Sequence, residues 1–110
     1  MAKPYLAELK TIIERLAISP PHKVWCKHFF SGAAAYIDNK KIFMSLTPVG
    51  LALKLPEVDR NHLFELGGEP LKYFPKAPIK KDYVVLPDHI AGDDLALVGW
   101  ITRSIDFARR

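Results

Sequence analysis

The 110-residue sequence is 49% hydrophobic and 25% charged, the balance of an ordinary globular domain rather than of a disordered or membrane-embedded chain. No stretch approaches the ~18 consecutive apolar residues of a membrane helix, and Lys3, Glu8 and Lys10 interrupt the N-terminal region where a signal peptide needs an apolar run. A lone cysteine, Cys26, rules out an intramolecular disulfide, so the expectation is one domain over residues 1–110, cytoplasmic, with no membrane partner.

The first element reads as a helix, because Leu6, Leu9, Ile12, Ile13 and Leu16 recur at spacings of three and four and line one face. Pro4 suits its first turn, and Ser19-Pro20-Pro21 is the expected stop, since proline lacks a backbone donor and drives its predecessor out of the α region. From Lys23 to Leu55 the pattern becomes that of an antiparallel meander, punctuated by Asp38-Asn39-Lys40 and Thr47-Pro48-Val49-Gly50. Ile42, Met44 and Leu46 alternate with Phe43 and Ser45, and Leu51, Leu53 and Leu55 with Ala52 and Lys54, which gives these strands one apolar face that needs a helix to cover it.

A short helix follows from near Pro56 to Gly67-Gly68, with Leu63 and Leu66 as its expected core residues. Residues 69–81 read as a loop, and Tyr83-Val84-Val85-Leu86 as one more strand ended by Pro87. The last helix begins at Asp93-Asp94, where carboxylates cap free amides, buries Leu97, Ile101 and Ile105, and ends at Arg109 and Arg110. The predicted fold is α+β: an antiparallel sheet of four to five strands flanked by N-terminal, middle and C-terminal helices, not a regular βαβ alternation.

The chemistry of catalysis is poorly represented. Ser31, in Phe30-Ser31-Gly32, lies between two predicted strands and lacks the Gly-x-Ser-x-Gly elbow of a hydrolase. Cys26 stands beside Lys27 and near His28 but falls in a strand pattern, where it reads as a small buried hydrophobe. His22, His28, His62 and His89 are scattered without metal-ligand spacing. Asp93 and Asp94, about 100° apart on a helix, are explained by capping. Neither Gly-x-Gly-x-x-Gly nor a Walker A sequence occurs, and Gly67-Gly68 reads as a helix stop. The expectation is therefore no enzyme, no catalytic or metal residue and no cofactor.

Sixteen Lys and Arg against twelve Asp and Glu give a net charge of +4, which favours an anionic partner only if it is concentrated on one face. Lys72, Lys76, Lys80 and Lys81 fall in one Pro-interrupted stretch with no acid until Asp82. Such lysines can neutralise phosphates while Tyr73, Phe74 or Tyr83 stack on bases, the combination found in single-strand nucleic-acid sites. A solvated loop whose aromatics complete the core is the competing reading.

The middle of the chain, from about Lys27 to Phe107, resembles the N-terminal domain of the TfoX (Sxy) competence-regulator family. The residues that carry the resemblance are Phe29-Phe30-Ser31-Gly32, where the family has Met-Phe-Gly-Gly, the hairpin tip Asp38-Asn39-Lys40, and Leu51-Ala52-Leu53-Lys54. Gly67-Gly68-Glu69-Pro70-Leu71 and Lys81-Asp82-Tyr83-Val84-Val85-Leu86-Pro87, with Tyr73-Phe74-Pro75 between them, complete it. The resemblance implies a secretion-chaperone-like antiparallel sheet flanked by helices, frequent pairing as dimers, and no cofactor or catalytic residue. Longer members add a C-terminal domain and act as positive regulators of competence genes; this chain is expected to be a stand-alone member without it.

Two functional readings stand at this point. The first is a non-catalytic regulatory or adaptor domain, linked to competence or gene expression, that binds another protein or itself through a sheet face or edge. The second is a nucleic-acid-associated module whose contacts are Lys72, Lys76, Lys80, Lys81 and Tyr83. A small-molecule pocket between sheet and helices has no residue pattern behind it.

Overall fold

The computed structural model describes residues 4–18, 24–29, 32–38, 41–72, 74 and 76–110. The elements in chain order are α1 (Tyr5–Arg15), β1 (Val24–Phe29), β2 (Gly32–Ile37), β3 (Lys41–Thr47), β4 (Gly50–Lys54), α2 (Glu57–Glu65), β5 (Glu69–Pro70), β6 (Tyr83–Val85), α3 (Asp88–Ala91) and α4 (Asp94–Ala108). The strands form one six-stranded sheet in the order β1-β2-β3-β4-β6-β5, antiparallel at every pairing. The α+β architecture agrees with the sequence; the sixth strand is the two-residue β5, inside what reads as a loop. Its Pro70 fits an edge strand, where a missing donor costs no ladder bond.

Strand register divides the side chains between two faces. Cys26, Ala35, Met44, Leu53 and Val84 are opposite one another in successive strands, and they join Leu9, Leu63, Leu97, Ile101 and Ile105 of the helices in the main hydrophobic core. Helix α1 lies against β1, β2 and β3, α4 against β3 and β4, and α2 against β6. The neighbouring row, Lys27, Ala34, Ser45, Ala52 and Val85, necessarily points to the other face.

Two sequence expectations are corrected here. The register shifts between Ala35 and Tyr36, which pair with Met44 and Ile42; the extra residue Phe43 turns into the core, so Ile42 does not share the face of Met44 and Leu46. A bulge reverses side-chain alternation, which period counting cannot anticipate. Leu66 is not a core residue but 40% exposed, because it is the C-cap of α2 at the point where the chain reverses.

Both long-lived helix ends obey the same device. After α2, Gly67 (φ +107°) takes the left-handed conformation, and Gly68 N–H donates to Leu63 O at 2.7 Å while Gly67 N–H donates to Phe64 O at 3.1 Å, the Schellman pattern. After α1, Ala17 (φ 51°) holds the equivalent position, with Ile18 N–H donating to Ile13 O and Ala17 N–H to Glu14 O, each at 3.1 Å. The stop thus precedes the expected Ser19-Pro20-Pro21, which lies outside the described residues.

Candidate functional site

Two surfaces of this frame carry exposed chemistry: the connection between β5 and β6, and the outer edge of β1. The first is a compact loop. It leaves β5 on the side of Val85 and Glu69, which are paired, so that alternation sends Leu71 to the face opposite the helices, where it is fully buried. Ala77 is buried too, and neither residue belongs to the helix-side core. Ala34, Ser45 and Ala52 on that face are themselves inaccessible.

Backbone bonds fix the loop from within. Lys80 N–H donates to Leu71 O at 3.0 Å, Ala77 N–H to Phe74 O at 2.9 Å, and Leu55 N–H to Asp82 O at 2.8 Å. Lys72, Lys76, Lys80 and Lys81 are all exposed on it, and Phe74, between the first two, is 60% exposed. Tyr83 is half-buried in β6 opposite Lys54, while Tyr73 lies outside the described residues. The one acid in the stretch, Asp82, is held by Arg60 at 3.2 Å. No acid lies within ion-pair distance of Lys72, Lys76 or Lys81 among the described residues.

The second surface is the end of the sheet. Among the described residues no strand pairs with the outer edge of β1. Trp25 on that strand is 42% exposed, and beside it an open groove of about 540 Å³ is lined by Lys10, Ile13, Ala17, Ile18, Val24 and Cys26, among others. Cys26 is half-buried; burial pushes its thiol up from its ordinary value, with Lys10 opposing, the reverse of an activated thiolate.

The remaining sequence candidates have structural occupations. Asp93 caps α4, accepting from Leu95 and Ala96 N–H at 3.1 and 3.4 Å, and Asp94 pairs with Arg15 at 3.1 Å. His62 packs edge-on against Trp100 with ring centroids 5.5 Å apart. No cluster of His, Cys, Asp and Glu able to hold a metal occurs among the described residues, and no helix of the described residues is long and apolar enough to cross a membrane. His22 and Ser31 fall outside the described residues.

Gly32 decides how close β2 and β3 approach. A Cβ there would overlap Leu46 O, so only glycine fits at the last position of Phe29-Phe30-Ser31-Gly32. The model of the TfoX N-terminal domain family matches residues 17–108, nearly the whole chain. The chain belongs to the TfoX N-terminal domain family. Comparison with curated protein sequences gives no match.

The structure gives physical roles to the other segments that the TfoX N-terminal domain resemblance rests on. Leu51-Ala52-Leu53-Lys54 is β4, with Leu51 and Leu53 in the core. Gly67-Gly68 closes α2, and a Cβ on Gly68 would meet Leu63 O at 2.9 Å and Val84 Cγ2 at 3.0 Å, so this glycine sets the contact between α2 and β6. Asp38 ends β2 in the left-handed region (φ 53°), and its carboxylate is 2.9 Å from Arg109 Nε of the α4 C-cap.

The sequence reading named a sheet face or edge as the contact but did not single out β1 or its groove. Its signal was weak, because Trp25 alternates with Val24 and Cys26 in a pattern that also fits a central strand. The position of β1 at the sheet's end follows from pairing, not from composition.

Proposed function

We propose that this chain is a non-catalytic interaction domain, one unit over residues 1–110, of the regulatory or adaptor type, which works in the cytoplasm by pairing with another protein chain along β1. The observation that carries the reading is the outer edge of β1, with which no strand pairs among the described residues, beside an open, mostly apolar groove. An edge strand presents unpaired backbone donors and acceptors, and an added strand satisfies them while its alternate side chains enter the neighbouring groove.

The partner that fits with least adjustment is a second copy of the chain. Antiparallel pairing of β1 with its own copy is a closed two-fold arrangement, which continues the sheet from one copy into the other and brings Trp25 of each close to the seam. The family context supports a regulatory role in competence or gene expression exerted through such contacts.

Light scattering tests the reading. The chain is expected to run at twice its 12.4 kDa mass, and Trp25→Lys, which puts a charge on the edge, to return it to the monomer without lowering its melting temperature. Hydrogen exchange on the dimer is expected to protect alternate amides of β1. A monomer at every concentration, with the outward amides of β1 exchanging as fast as loop amides, overturns the proposal.

A further inference from the structure

The charges of this chain are sorted by layer. Only Asp38, Glu69 and Asp82 among its acids lie outside the helices and the α4 cap, whereas Lys10 is the only helical lysine among the described residues. The arginines are engaged within the helical layer and at its margins: Arg15 with Asp94, Arg60 with Asp82, Arg103 with Asp59 and Arg109 with Asp38. Two of the three non-helical acids are thereby neutralised, and the positive excess is left on the lysines of the sheet and of the β5–β6 loop.

We propose that the β5–β6 loop binds a single-stranded nucleic acid, with Lys72, Lys76 and Lys81 on phosphates and Phe74 stacked on a base. Three observations meet there. The lysines stand on a loop fixed by buried Leu71 and Ala77 and by internal backbone bonds, so they are held in place rather than strung on a tail. Lys54 stands opposite Tyr83 and extends the positive strip toward β4. Phe74 exposes an aromatic ring between two lysines, a flat apolar surface on which a base can stack.

A purely charged partner needs the lysines and not the ring. A single strand uses both, because phosphate neutralisation supplies sequence-independent affinity and an aromatic platform accepts any base. Duplex DNA hides its bases from such a platform. This site is separate from the β1 edge, so either proposal stands or falls without the other.

Fluorescence anisotropy with a labelled oligothymidine tests it. Neutralising three phosphates of a single strand gives a loss of affinity of roughly 20-fold between about 50 and about 200 mM salt. Lys72→Gln/Lys76→Gln/Lys81→Gln is expected to weaken binding and flatten that dependence, and Phe74→Ala to weaken binding by about tenfold with the salt dependence unchanged. All four side chains are exposed, so the melting temperature of each variant is expected to match the parent and to show that the fold is kept. No binding at the lower salt overturns the proposal, as does binding indifferent to the lysines. Equal affinity of Phe74→Ala, or polyglutamate competing as well as oligothymidine, also overturns it and gives the patch to an acidic protein.

Discussion

Two buried serines, one in α4 and one in β3, show how differently the same side chain can stand in one fold. Ser104 of α4 is fully buried and points its hydroxyl at two carbonyl oxygens, Phe43 O and Lys54 O, each at 2.7 Å; it holds α4 onto the ends of β3 and β4. Ser45 is equally buried, between Ala34 and Ala52, and its hydroxyl has no hydrogen-bond partner. An unsatisfied buried hydroxyl costs on the order of 1–3 kcal/mol, and the same magnitude is lost when a satisfied one is removed from its acceptors. Ser45→Ala is therefore expected to raise the unfolding free energy by about 1 kcal/mol and Ser104→Ala to lower it by about 2 kcal/mol, both read from urea denaturation. At Cys26 the sign is set by burial. A thiol whose folded pKa is raised keeps its proton while the unfolded thiol ionises near pH ~8.5, so its contribution to stability is intact below that pH and is lost as pH rises toward the folded value. Thermal melts from neutral to alkaline pH are expected to lose this contribution in the wild type and not in Cys26→Ala.

At the scale of the element, the two Schellman closures make a matched pair. Gly67 enters the left-handed region freely, whereas Ala17 does so against the clash of its Cβ with the following carbonyl, which costs roughly 1–2 kcal/mol. Ala17→Gly is expected to stabilise the fold by about 1 kcal/mol and Gly67→Ala to destabilise it by at least as much, measured as shifts in denaturation midpoint. This asymmetry also explains what the sequence made legible. Glycine pairs, capping aspartates and hydrophobic periods announce α2, α4 and the β2–β3–β4 meander, because those signals are local. Ala17 carries no such mark, and prolines just beyond it draw the boundary too far along. The bulge at Phe43 and the two-residue β5 escaped for the same reason: each is imposed by partners distant in sequence. The lysines of the loop were visible as a run. That Leu71 and Ala77 of this run are buried, and that Arg60 removes Asp82 from it, depends on tertiary contacts no spacing could reveal.

Across the whole molecule, arginine and lysine do different work, and the difference is testable without knowing any ligand. Arg60 is mostly buried; its guanidinium donates to Leu55 O at 2.8 Å and to Asp82 at 3.2 Å, and so ties the start of α2 to the chain entering β6. Arg103 reaches from α4 to Asp59 of α2 at 2.9 Å and lies over the Trp100 ring at 5.3 Å. Planar, bidentate guanidinium groups suit such inter-element ties, whereas a lysine ammonium is a compact, strongly hydrated charge that remains available to an outside anion. If the net charge of +4 acted as a diffuse field, removing any cation would change anion binding alike. The segregation predicts otherwise. Arg60→Gln leaves a backbone carbonyl and Asp82 without their donor and is expected to cost about 1–3 kcal/mol of stability, while retention on a heparin column changes little at temperatures where the variant is folded. Lys72→Gln/Lys76→Gln/Lys81→Gln is expected to do the reverse, eluting at much lower salt with an unchanged melting temperature, because exposed charges without partners contribute little to folding. Equal effects of the two variants on heparin retention would show that net charge, not its arrangement, governs how this domain meets anions.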